Sequence, residues 1–220
     1  MPSIQGQVGP QILGTSSVQA TPSMSPNGGL ITQDEHGRFY EAVRRGGVYT
    51  LSTAAAGITV AAGNVSPLTA NTGIPIIGLF NPVNSGYNLV IMRTKIQTVS
   101  GTPGGGFVWN VVAPNDPITV TPGSKGINNK TFVQGGVAIG FSNSAFTGSV
   151  VGTMFRPIGG TAAIVAGAGV YSVDEITDGD IVIPPGGFAG IAATAAGTTH
   201  VVAAAVTWEE VIQALPASVA

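Results

Sequence analysis

From Val48 to Val211 the chain alternates short β-prone runs with turn residues, and helical spacing is hard to sustain between them. The runs read VYTLST, ITVAA, IPIIGLF, NLVIMRTKIQTV, GFVWNVV, ITVT, VAIGF, VVGTMFRPI, IVIP, FAGIAAT and HVVAAAVTWEE, with Gly, Pro, Asn, Ser and Asp between them. Such a pattern predicts an all-β domain with antiparallel pairing, and a sandwich or jelly roll accounts for it best. A solenoid is disfavoured because no fixed repeat period runs through the segment.

Asn88 to Val99 has the clearest alternation. Leu89, Ile91, Arg93, Lys95 and Gln97 fall on one side, and Val90, Met92, Thr94, Ile96 and Thr98 on the other. Neither side is wholly apolar. The first half therefore reads as buried on both faces, with Arg93 and Lys95 emerging on one face at a rim or interface. Ile181 to Val211 is the opposite case, two strands with no formal charge between Asp180 and Glu209, made almost entirely of small and apolar side chains. Its composition predicts a covered strand pair: Pro184 to Gly187 form the turn, His200 to Trp208 the closing strand, and solvent returns at Glu209 and Glu210.

Upstream the pattern changes twice. Thr32 to Gly46 predicts one short helix, with Thr32 and Glu35 in capping-box spacing, acids in the first turn, and Arg44 and Arg45 before a glycine stop. Phe39, Tyr40 and Val43 give it a narrow apolar stripe. Residues 1–31 carry Pro2, Pro10, Pro22 and Pro26 and only isolated apolar positions. They read as an extended arm, either a plain disordered tail or a segment that orders on a neighbouring subunit through Ile4, Val8, Ile12, Leu13 and Val18. The expected organisation is thus an arm over 1–31, a helix over 32–46 and a β-sandwich over 47–220.

Composition narrows the classes of function. Charged residues make up only 8% of the chain, beside 33 Gly and 15 Pro, so the surface is neutral and polar or hidden in contacts. Eight cations are too scattered to form a phosphate-binding patch, so no direct nucleic-acid partner is expected. No uncharged span approaches ~20 strongly apolar residues, which argues against a transmembrane helix. With no signal-peptide pattern either, synthesis in the cytoplasm is expected. The absence of cysteine removes disulfides and thiolate chemistry.

The acidic run DEITDGD places Asp174, Glu175, Asp178 and Asp180 close enough in sequence to meet a hard cation. It lacks the EF-hand ligand order, so a solvated loop with a turn at Asp178-Gly179 before a strand at Ile181 to Pro184 is the favoured reading. His36 and His200 have no companion ligand or nucleophile motif. Gly101 to Gly106 lacks the ending of a phosphate loop and reads as a flexible turn between two strands. Trp109 and Trp208 lie in apolar strands and are assigned to packing. With no catalytic constellation, no metal and no cofactor expected, an enzyme is disfavoured.

Three pieces together resemble bacteriophage virion proteins: the lead-in DEHGRFYEAVRRGGVYTLST, the valine- and glycine-rich middle, and the ending from IVIPPGG to TAAGTTHVVAAAVTWEE. The resemblance implies a jelly-roll or tumour-necrosis-factor-like sandwich that assembles as a trimer on the head or tail. Charge-poor sheet faces point independently to an assembly, with threefold packing around Ala203, Ala204 and Ala205 and with His200 at the interface or strand end. The expected function is a capsid decoration or cement protein on the virion surface, its arms spread over the major capsid protein. The alternative is a tail, collar or fibre-base component that recognises a partner protein or host glycan.

Overall fold

The β-prone runs become thirteen antiparallel strands in a computed structural model that describes residues 39–68, 73–114, 118–119, 123–144, 147–148, 152–159, 171–197 and 199–213. They are β1 (Val48–Ser52), β2 (Ile58–Thr59), β3 (Ile77–Phe80), β4 (Tyr87–Ser100), β5 (Phe107–Val112), β6 (Ile118–Thr119) and β7 (Ser124–Asn128). There follow β8 (Gln134–Ser142), β9 (Thr147–Gly148), β10 (Thr153–Gly159), β11 (Ser172–Ile183), β12 (Phe188–Ala193) and β13 (Val201–Ile212). The fold is all-β.

One sheet runs in the order β10-β5-β12-β3-β8-β7-β1-β13-β4-β11, with β2 attached to β13, and β6 and β9 pair separately. Four of the pairings are nested along the chain: β1 with β13, β3 with β12, β4 with β11, and β5 with β10. Nesting of this kind generates two four-stranded layers, β1-β13-β4-β11 and β3-β12-β5-β10. The β7–β8 hairpin links them, β7 pairing with β1 and β8 with β3.

The two layers share one core. Leu51, Ile91, Ile96, Val206 and Trp208 of the first layer are buried in one cluster with Ile77, Leu79, Phe107, Trp109 and Ile191 of the second. Burying such side chains is the main favourable term, about 1.5–3 kcal/mol for each large one. The second layer is covered on its outer side as well, where Leu68, Phe80, Val108, Val112, Phe141, Phe188 and Ala192 form a separate cluster. Near-continuous apolar runs such as FVWNVV, broken only by the buried Asn110, and FAGIAA fit strands buried on both faces.

The alternation of β4 breaks at Met92. Opposite β13, Arg93 pairs with Thr207 and Ile91 with Trp208, which leaves Met92 as an extra residue. This bulge exchanges the faces, so Leu89 and Ile91 point inward with Thr94, Ile96 and Thr98, while Arg93, Lys95 and Gln97 point outward. The sequence places Leu89 and Ile91 on the side of Arg93, and the bulge corrects that.

Two expected turns also differ. Asp178-Gly179 lies inside β11 rather than ahead of a strand, within an extended bulge where Ile176 faces Arg93 and Ile181 faces Ile91. Both residues take positive φ, and Thr177 Oγ1 ties the bulge to the Ile91 carbonyl at 2.6 Å. The GTPGGG stretch does not close a hairpin, because β4 and β5 are not neighbours. It crosses between layers against residues 194–197 and 199–200, so closely that a Cβ on Gly104 would overlap the Ala196 carbonyl. The described helix, α1 (Tyr40–Arg45), ends as expected at Gly46, which has φ +81. Its buried residue is Ala42, whereas Tyr40 of the expected apolar stripe is exposed.

Gly104→Ala therefore requires the crossover to move and should cost about 1–3 kcal/mol. Gly86→Ala, at φ +73 with open space around it, should cost about 1 kcal/mol from backbone conformation alone. Urea denaturation of the two variants tests this order.

Candidate functional site

The ends of the sheet, β10 and β11, come together without a backbone ladder, and side chains bridge them. Arg156 of β10 reaches across to two carboxylates of β11, donating from Nη2 to Glu175 Oε1 at 2.8 Å and from Nη1 to Asp180 Oδ2 at 2.5 Å. Trp109 of β5 donates from Nε1 to the other oxygen of Glu175 at 3.0 Å. The side chains of Arg156 and Glu175 keep only 30% and 19% of their exposure, so this pair is shielded from screening by water. Bonding to Asp180 raises the Arg156 pKa above its ordinary value, against the cost of desolvation.

A second guanidinium holds the same strand β11 from its other side, where it pairs with β4. Arg93 of β4 grips Asp174 with both Nε and Nη2, a fork geometry that holds the Asp174 carboxyl below its ordinary pKa. Asp174, Glu175 and Asp180 thus face arginines rather than one another, and Asp178 lies in the bulge. Among the described residues, no three His, Cys, Asp or Glu side chains converge as a metal set would. The loop expected here is strand, and its acids tie β11 to β4 and β10.

An apolar cleft of about 380 Å³ opens beside this seam. Its walls include Val111 and Val112 of β5, Phe155 of β10, Val182 and Pro184 of the β11 end, and Phe188 of β12, with Asp180 contributing a carboxylate. Phe155 and Val182 are each about half exposed in it.

The residues expected at a threefold interface divide between two faces. Strand β13 alternates strictly, so Ala204 points into the core with Val202, Val206 and Trp208, while Ala203 and Ala205 stand on the outer face. His200 is fully buried, within hydrogen-bond distance of Thr98 Oγ1 (3.2 Å) and against the ring of Phe107. Only Ala203 and Ala205 of that set face outward. They sit in cross-strand rows, Ser52–Ala205–Lys95–Asp174, Thr50–Thr207–Arg93–Ile176 and Ala203–Gln97–Ser172. The outer surface of the first layer thus mixes short Ala, Ser and Thr side chains with Gln97, Ile176, Lys95 and the Arg93–Asp174 pair.

Sequence reasoning passed over three charged residues that hold the sheet together, two through backbone groups and one through side chains. Strand β8 bulges away from β7, with Ser124 facing Gly140 and Gly126 facing Gly135. Glu210 Oε1 accepts from Val137 N and Ala138 N at 2.8 and 3.1 Å, and Lys125 Nζ donates to the carbonyls of Gly136, Val137 and Ala138. Glu210 therefore serves the sheet, where the sequence read it as the return of solvent. Arg156 is the third such residue. Its signal in the sequence is its isolation, since it is the one charge between Lys130 and Asp174.

Ile4, Val8, Ile12, Leu13 and Val18 of the expected arm, together with Thr32, Glu35 and His36, lie outside the described residues. No described helix is long and apolar enough to cross a membrane. Comparison with protein-family models, curated proteins and solved structures finds no match for the chain.

Arg156→Ala should destabilise the protein by about 2 kcal/mol, because it leaves Glu175 half-buried with only the Trp109 donor. Arg93→Ala breaks a far more exposed pair and should shift the urea midpoint less. A midpoint for Arg156→Ala equal to that of the wild type would show that the seam closes without it.

His200 sets a pH dependence. Burial pushes its pKa below the ordinary value of about 6.5, so on acidification the unfolded chain binds a proton that the folded chain resists. Stability is complete above about pH 6.5 and declines as pH falls below that toward the lowered value. The contribution of Asp174, also lowered, fades only below its ordinary value of about 3.9. Unfolding midpoints measured through the mildly acidic range should fall for the wild type and stay level there for His200→Gln.

Proposed function

We propose that the chain is a structural virion protein, a homotrimeric capsid decoration or cement protein whose N-terminal residues 1–31 engage the major capsid protein. The observation that carries this reading is the outer face of β1-β13-β4-β11. There Ala203, Ala205, Thr50, Ser52 and Thr207 form rows of short side chains beside Gln97, Lys95 and the mutually paired Arg93 and Asp174. Short side chains on a flat sheet allow another protein surface to approach closely. Three such faces meeting around an axis would cover what one copy leaves in water. An obligate interface of this type buries ~2,000 Å² or more.

The strand order supports the finer fold expectation. Nested pairing of β1–β13, β3–β12, β4–β11 and β5–β10 is the arrangement of a jelly roll of tumour-necrosis-factor-like order, to which β7–β8 adds a hairpin between the layers. The seam argues for a structural role in place of catalysis, since Asp174, Glu175 and Asp180 are committed to arginines. Cement proteins act by linkage: binding only the assembled shell stabilises it, and three arms on one trimer supply avidity.

Deleting residues 1–31 should leave a folded trimer that no longer binds heads. Co-sedimentation with purified capsids and light scattering of the truncated protein test both halves. Undiminished capsid binding by the truncated trimer would refute the arm. A few copies per particle by mass-spectrometric stoichiometry, in place of an abundance matching the shell, would move the protein to the tail or fibre base.

A further inference from the structure

The tip of the β7–β8 hairpin holds a conformation that its residue disfavours. Phe132 has φ +58, in the left-handed region that bulky side chains rarely adopt. The buried Asn128 specifies the turn. Its Oδ1 accepts from the amides of Lys130 (3.0 Å) and Thr131 (3.1 Å), its Nδ2 donates to the Gly46 carbonyl at 2.6 Å, and its own carbonyl accepts from Phe132 N at 2.9 Å. The result of this construction is exposure: Phe132 is 80% exposed and Val133 62%. A strained backbone that carries an aromatic ring into water returns nothing to its own protomer, and such outliers cluster where a protein makes contacts.

The seam cleft has complementary properties. It is apolar, with Phe155, Val182 and Phe188 in its walls, and its 380 Å³ lies near the lower end of ligand pockets, which run to roughly 300–1,000 Å³. That volume suits one or two side chains better than a large ligand. The tip carries a cation, Lys130, beside its apolar pair, and the cleft carries the half-exposed carboxylate of Asp180, whose bonds to Arg156 a second cation would have to share.

We infer that Phe132 and Val133 of one copy plug the cleft formed by Phe155, Val182 and Phe188 of a second copy, with Lys130 brought toward Asp180. The inference rests on the homotrimer reading and adds to it a contact outside the rows around Ala203 and Ala205. Knob and cleft are different surfaces of the same protomer, so the contact is heterologous: every copy gives one and receives one, and the set closes as a trimer only where successive copies are turned by a third of a circle. Plugging also covers the exposed apolar side chains at both places.

Full-length protein, with sedimentation velocity across a concentration series, tests the contact. Phe132→Gly removes the plug and relieves the backbone, so its thermal midpoint should not fall below that of the wild type. Val182→Asp places a carboxylate in the cleft wall at an exposed edge position. Each variant should raise the concentration needed for assembly at least tenfold. An equimolar mixture should regain association in part, because the intact tip of the Val182→Asp chain fits the intact cleft of the Phe132→Gly chain.

Wild-type assembly by both variants would overturn the inference and leave the trimer standing, whereas a wild type that stays monomeric would overturn both. Variants that dissociate but regain nothing on mixing would also refute the plug, since lost association would then come from altered protomers. Phe132-dependent binding to anionic phospholipid vesicles, with assembly unchanged, would assign the tip to a bilayer instead.

Discussion

A β-sheet that curls over a single core must do something with its two ends, and here one guanidinium meets that constraint. Among the described residues, strands β10 and β11 have no strand neighbour on their outer sides, and Arg156 spans them by holding Glu175 and Asp180 together. An open pair of edges would expose backbone donors and acceptors to any other chain. The ion pairs close the gap and anchor Trp109 through Glu175, so a large residue of the shared core takes its orientation from the seam. The cleft exists because this closure is made at one point and leaves the apolar walls beside it apart.

The same economy explains how few charges the protein uses. Where β8 departs from β7, the freed amides turn to Glu210 and the freed carbonyls to Lys125. Where β11 bulges, Thr177 takes up the Ile91 carbonyl, and where the hairpin tip turns, Asn128 supplies the partners. Buried backbone groups must be paired, and a chain full of bulges pairs them with whatever polar side chains it has. Its scarce charges are thus found largely at irregularities of the sheet. The outer face of the first layer carries short Ala, Thr and Ser side chains beside Gln97, Ile176, Lys95 and the Arg93–Asp174 pair.

Much of the fold was legible in the chain and rather less of the site. Period-two runs separated by turn residues identify the strands, but the stretch from Ile181 to Val211, read as one covered strand pair, becomes the end of β11, then β12 and the central β13, with β12 and β13 in different layers and not paired with each other. The face of β4 was harder to read, because inward Thr94 and Thr98 resemble surface residues and the bulge at Met92 leaves no mark in composition. DEITDGD looked like a loop because Asp-Gly favours turns, yet both residues keep their positive φ within a strand. Ala204 and His200 looked like contact residues because small and polar groups are common at interfaces. In the fold, Ala204 lies in the shared core, and His200 packs between Thr98 and Phe107.

The sequence by itself determined the class of structure, since alternation, turn chemistry and a lack of sustained helical period depend on neighbours along the chain. It also determined that the surface would be poor in charge. Only the tertiary structure decided which charges meet, which alanines face outward, and that Phe132 stands in water while a cleft lies open at the seam. Those outcomes depend on register and on bulges, and one added residue in a strand exchanges its faces and changes every partner beyond it.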